Sequence, residues 1–99
     1  MRTSFEVFSD PGHAWCKVPF SVLQELGIVE KITCYSYQRG GFAYLEEDCD
    51  LSVLVAALRE RGITPKFRER VARERYSRIR DYYCYTPQVV QNYFALTNK

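Results

Sequence analysis

Histidine occurs once in this chain of 99 residues, at His13, and tryptophan once, at Trp15. A single imidazole and no coherent acid–base set leave little for proton-transfer chemistry, so an enzyme is the least favoured class and no catalytic residue is assigned. Cysteine appears at Cys16, Cys34, Cys49 and Cys84, never as C-x-x-C. With no secretory signal, these read as free thiols packed as small apolar groups. His13-Ala14-Trp15-Cys16 comes nearest to a metal-ligand spacing, but a structural zinc needs a second closely spaced pair, which the sequence lacks. Asp10, His13 and Cys16 could be drawn as orienter, base and nucleophile, yet a turn followed by a buried strand is the preferred reading. No metal and no cofactor is expected.

The longest uncharged apolar run, residues 51–58, is far too short to span a bilayer. The start, Met1-Arg2-Thr3-Ser4-Phe5-Glu6-Val7, has no apolar signal-peptide core and carries an acid early. A cytoplasmic protein without a membrane partner is expected. Repeats, linkers and low-complexity tracts are absent too. What is present is ordinary for a globular chain, 46% hydrophobic and 26% charged, which excludes disordered and fibrous classes and fits one domain over residues 1–99.

The net charge of +2 conceals an asymmetry. Residues 1–58 hold four bases (Arg2, Lys17, Lys31, Arg39) against eight acids, whereas residues 59–99 hold ten bases against four. Such a bipolar chain either steers toward a charged surface or neutralises its own poles on folding.

The pattern predicts an α+β fold: an antiparallel sheet of three or four strands, a packed central helix and a short C-terminal helix. Phe5, Val7 and Phe8 mark a first strand, closed by the turn Ser9-Asp10-Pro11-Gly12. Residues 15–18 suit a second strand, and Pro19 opens a short helix with Phe20, Leu23 and Leu26. The runs 31–38 and 42–46 flank Gly40-Gly41 as a hairpin. In that register Arg39 opposes Phe42, Tyr37 opposes Tyr44 and Tyr35 opposes Glu46. Tyr35, Tyr37, Phe42 and Tyr44 then share one face, with Ile32, Cys34, Ala43 and Leu45 on the other. Asp48 or Asp50 can cap a helix whose stripe Leu51, Leu54, Val55 and Leu58 covers that second face. Residues 68–75 favour helix by propensity, but the apolar anchors of residues 66–80 are so few that an extended path, or folding only on a partner, is open. Thr86-Pro87 starts the last helix.

Three features carry functional readings. Residues 59–80 hold nine Lys or Arg against three acids. Arg68, Arg70, Arg73, Arg75, Arg78 and Arg80 could neutralise phosphates, although pairs such as Glu69–Arg73 and Arg70–Glu74 would fit a solvated helix face. Arginine dominance favours recognition. The aromatic hairpin face offers a stacking platform or protein anchors. Core is the expectation for Tyr37 and Phe42, while Tyr35 and Tyr44, beside Arg39, serve as anchors. The acidic stretch Glu46, Glu47, Asp48 and Asp50 lacks the further oxygen ligands of a calcium loop and suits a basic partner surface.

The strings His13-Ala14-Trp15, Tyr35-Ser36-Tyr37-Gln38-Arg39-Gly40, Tyr44-Leu45-Glu46-Glu47-Asp48-Cys49-Asp50 and Ser77-Arg78-Ile79-Arg80 resemble a family of small proteins encoded by bacteriophages, prophages and plasmids. The resemblance spans residues 7–85 and implies a mobile-element accessory protein in the bacterial cytoplasm, of the kind that blunts host defence as an anti-CRISPR or anti-restriction factor. It transfers no site residues. The leading expectation is therefore a non-enzymatic protein that inhibits a host protein or ribonucleoprotein complex by protein–protein contact through Tyr35, Arg39, Tyr44, Glu46, Glu47, Asp48 and Asp50. The alternative is direct nucleic-acid binding through the arginines of residues 66–80.

Overall fold

Along β1 (Ser4–Ser9) Phe5 and Val7 alternate with Glu6 and Phe8, and along β2 (Ala14–Pro19) Cys16 and Val18 alternate with Trp15 and Lys17. Period-two alternation sends one set to each side of a sheet, so both faces here receive large groups. The computed structural model describes residues 1–72 and 77–97. The sheet continues with β3 (Tyr37–Arg39), β4 (Phe42–Glu46), β5 (Lys66–Val71) and β6 (Tyr83–Cys84). Its six strands run in the order β5-β1-β2-β4-β3-β6, with β5 parallel to β1 and every other pair antiparallel.

The α+β class holds, but the expected sheet of three or four antiparallel strands is corrected to six strands of mixed sense. The added parallel strand is β5, where helical propensity favoured a helix. It bonds β1 in the register Ser4–Lys66 through Ser9–Val71, and this ladder of six residue pairs across some sixty positions outweighs a weak local preference.

One face is covered by α1 (Phe20–Glu25), α2 (Leu51–Glu60) and α3 (Pro87–Thr97). Phe5, Cys16, Val18, Ala43 and Leu45 from the sheet meet Phe20, Leu23, Ile32, Leu54, Leu58 and Val90 in the main core. Leu54 and Leu58 of the expected stripe are fully buried and Leu51 packs beside them, but Val53 and Ala57 take the place expected for Val55; truncating Leu54 or Leu58 to alanine should cost about 3 kcal/mol. Thr86 accepts from the Val89 amide as the α3 cap. No helix among the described residues is long and apolar enough to cross a membrane.

The β3–β4 hairpin forms as its sequence implies, with Arg39 opposite Phe42, Tyr37 opposite Tyr44, and Gly40 and Gly41 both at positive φ. The strand does not begin at residue 31, however. Val29–Lys31 is a 3-10 turn, and the segment after it is held by Asp50. Asp50 stands at the start of α2 but makes no side-chain cap. Its carboxylate instead accepts from the Thr33 amide at 3.1 Å, the Thr33 hydroxyl at 2.9 Å and the Ser36 hydroxyl. Ser36 Oγ in turn accepts from the Glu46 amide at 2.9 Å, where Tyr35 was expected to pair. Cys34 points to solvent rather than into the core.

Candidate functional site

The second sheet face is partly open. Trp15, Tyr44 and Ile79 are buried there, with Phe8, Tyr37, Phe42 and Tyr82 packed around them. A strap of chain brings Ile79 and Tyr82 over the sheet through the 3-10 turn Arg78–Asp81. Asp10, in the β1–β2 turn, fastens that strap. Its buried carboxylate accepts from Arg80 Nε at 2.7 Å, Arg80 Nη2 at 2.9 Å, the Ser77 amide at 2.9 Å, and the Gly12 and His13 amides. The Arg80 guanidinium, opposed in part by burial and helped by those amides, holds the Asp10 carboxyl well below the usual carboxylate range.

Beside this knot lies a cleft of about 320 Å³. Trp15, Tyr37 and Tyr35 form its aromatic side, with Trp15 and Tyr37 edge to face at 6.2 Å between centroids and Tyr35 68% exposed. Glu46 and Asp48 supply carboxylates, His13 and Cys49 complete the rim, and Arg80 lies against the Trp15 ring at 5.2 Å. Pairing of Trp15 with Glu46 across β2 and β4 sets the indole beside the carboxylate. Glu46 Oε1 is 3.5 Å from His13 Nδ1, and Oε2 accepts from the Cys49 amide at 2.8 Å. The Cys49 thiol is pushed up, chiefly by its hydrogen bond to Glu46, so it is a poor nucleophile. Trp15 Nε1 is buried without a hydrogen-bond partner among the described residues.

Among the expected partner-binding residues, Tyr35, Glu46 and Asp48 meet in this cleft. Glu47 is exposed beside it, and Arg39 is exposed with its guanidinium 5.1 Å from the Tyr82 ring. Tyr44 and Asp50 are corrected to interior positions. Tyr44 is packed edge to face against Tyr82 at 5.0 Å, and burial, then Tyr82, pushes its hydroxyl up to about 12. Asp50 is spent on Thr33 and Ser36, so neither side chain can touch a partner. His13, Trp15 and Cys49 belong to the cleft although no binding role was expected of them. The alternation His13-Ala14-Trp15 directly after a turn was the available signal.

The expected phosphate-binding arginines separate. Arg68 and Arg70 lie on β5, and Arg70 pairs with Glu6. Arg80 is corrected to a structural partner of Asp10. Arg78 is exposed, and Arg73 and Arg75, with the Glu69–Arg73 and Arg70–Glu74 pairs, lie outside the described residues. Asp10, His13 and Cys16 do not assemble. Cys16 lies on the opposite, helix-covered face, its thiol pushed up to about 12 by burial. No three His, Cys, Asp or Glu side chains among the described residues form a metal-holding group.

Four strings distant in sequence, His13–Trp15, Tyr35–Gly40, Tyr44–Asp50 and Ser77–Arg80, thus each place at least one side chain in a single cleft. No family model matches this chain, and no curated protein or solved structure shows significant similarity to it.

Proposed function

We propose that the chain is a non-enzymatic binding protein whose aromatic and acidic cleft receives a cationic side chain from a basic protein surface. The observation that carries this reading is the junction of exposed Tyr35 and half-buried Tyr37 with the Glu46 and Asp48 carboxylates in one cleft, while the nearby Arg80 is already neutralised by Asp10. An ammonium or guanidinium over a tyrosine face gains about 2 kcal/mol when desolvated, and a carboxylate within reach adds a charge-assisted hydrogen bond. Basic grooves built for nucleic acid expose such side chains in quantity. A mobile-element protein that occupies a host nucleic-acid-targeting complex would therefore find its ligand there, which agrees with the resemblance carried by the strings around the cleft.

Trp15, the only tryptophan, reports on the cleft directly. Titrating a short arginine-rich peptide should change its fluorescence saturably. Tyr35→Ala combined with Asp48→Asn should weaken binding about 30-fold, the equivalent of about 2 kcal/mol. An unresponsive indole, or equal binding by the double variant, would overturn the reading.

A further inference from the structure

The same sheet face carries a second cleft at its other end, of opposite charge. Pairing of Glu6 with Lys17 on β2 and with Arg68 on β5 flanks one carboxylate with two cations in the plane of the sheet. Arg70, two residues along β5, bonds Glu6 from the same side. Arg2 adds a fourth cation, and the Phe42 ring lies beneath Lys17, whose Nζ is 4.3 Å from its centroid. These groups line a cleft of about 380 Å³. Glu6 is the one acid in it, and among the described residues no carboxylate pairs with Arg2, Lys17 or Arg68.

Unpaired cations converging on a concavity impose mutual repulsion that an anion would relieve, and Arg68 offers a fork suited to phosphate oxygens. We propose that this cleft binds the phosphate backbone of a single-stranded nucleic acid, with Arg68 and Lys17 on phosphate and a base taking the place of the Lys17 ammonium over the Phe42 ring. A strand is favoured over a duplex on two grounds. Among the described residues the three helices pack on the opposite face, so none projects here to enter a groove. An aromatic ring beside the cations is the usual platform for an unstacked base. The inference uses none of the residues assigned to the cationic side chain of a protein partner, so the two readings can fail separately. Together they describe a face able to meet a nucleoprotein at both its protein and its phosphates.

The test is fluorescence anisotropy with a labelled oligothymidylate about ten nucleotides long, within the usual footprint of a small binding fold. Binding at low salt should fall on salt addition with a slope near −0.7 for each phosphate contacted, so about −1.4 for two. Arg68→Ala with Lys17→Ala should reduce affinity at least about tenfold and flatten that slope. Arg59→Ala, which removes an exposed cation from α2, should change neither, and Tyr35→Ala should leave strand binding intact. Circular dichroism confirms that each variant is folded. No binding at low salt, binding unaffected by the double variant, or a duplex bound as tightly would overturn the proposal. Equal affinity for a mononucleotide and the oligonucleotide would make this a small-anion site and overturn it as well.

Discussion

Arg80 grips the carboxylate of Asp10 through Nε at 2.7 Å and Nη2 at 2.9 Å, across seventy positions of sequence. That contact joins the acidic and basic halves of the chain, as Glu6–Arg70 does at the other end of the face. Part of the charge asymmetry is thus consumed within the fold, and part of the rest lines the two clefts. Breaking the Asp10 contact would strand a buried carboxylate. Arg80→Ala should therefore lower unfolding free energy by about 3 kcal/mol in urea denaturation. A loss near zero would show that Ile79 and Tyr82 packing and the Ser77–Asp10 bond hold the strap without the ion pair.

The same carboxylate predicts an acid dependence. Arg80 holds Asp10 below its ordinary value of 3.8, so the folded state releases this proton more readily than the unfolded state. The resulting stability is complete above the unfolded value and is lost as pH falls through the folded one. Wild-type protein should lose stability steeply below about pH 4, and Asp10→Asn, weaker at neutral pH, should show a shallower acid limb over that range. Parallel limbs for the two proteins would contradict it.

Asp50 should control the binding cleft without reaching it. Its bonds to Thr33 and Ser36, and the Ser36 bond to the Glu46 amide, fix where the Glu46 carboxylate stands. Asp50→Ala leaves those donors unsatisfied and should cost about 3 kcal/mol in stability. Arginine-peptide binding should weaken in the variant even below its unfolding transition. Intact binding by the folded variant would show that Glu46 is positioned by its strand alone.

How far the sequence disclosed this arrangement follows the range of each interaction. The α2 stripe and the Arg39–Phe42 and Tyr37–Tyr44 register were legible because a helical period and a Gly-Gly turn are written in adjacent residues. β5 was not, since its partner β1 lies some sixty positions earlier and its own residues alternate charges with no buried side to mark a strand. Among the site residues, Tyr35, Glu46 and Asp48 stood out by type. Asp50 looked the same as they do in sequence, and only the fold distinguishes an acid turned inward to Thr33 from one facing a cleft. Lys17 was hidden for the converse reason: one lysine in an apolar strand becomes part of a site only when β5 brings Arg68 to the far side of Glu6.

Gly41 tests the hairpin from the other side of the sheet. Its φ is +86°, and an added Cβ would lie 2.8 Å from the Tyr93 ring of α3. Gly40, at φ +59°, has open space at that position. Gly40→Ala should therefore cost only the left-handed backbone penalty of about 1 kcal/mol, while Gly41→Ala adds displacement of Tyr93 from its edge contact with Phe20. Thermal unfolding should rank them in that order, and equal losses would place Tyr93 elsewhere in solution.

The four thiols give a final check on both faces at once. Cys16 is fully buried in the core and pushed up to about 12, whereas Cys34, Cys49 and Cys84 are exposed. Thiolate is the reactive form, so burial and a raised pKa both slow attack. With an aromatic disulfide reagent at neutral pH, Cys34 and Cys84 should react first. Cys49 should lag, because its hydrogen bond to Glu46 and the surrounding carboxylates disfavour the thiolate, and Cys16 should wait for denaturant. Glu46→Gln should shorten the lag of Cys49, with Asp48 and Asp50 still restraining it, without exposing Cys16. If Cys49 instead keeps its lag in that variant, Glu46 is not the group that restrains it, and the rim of the cleft is arranged differently from the bonds described above.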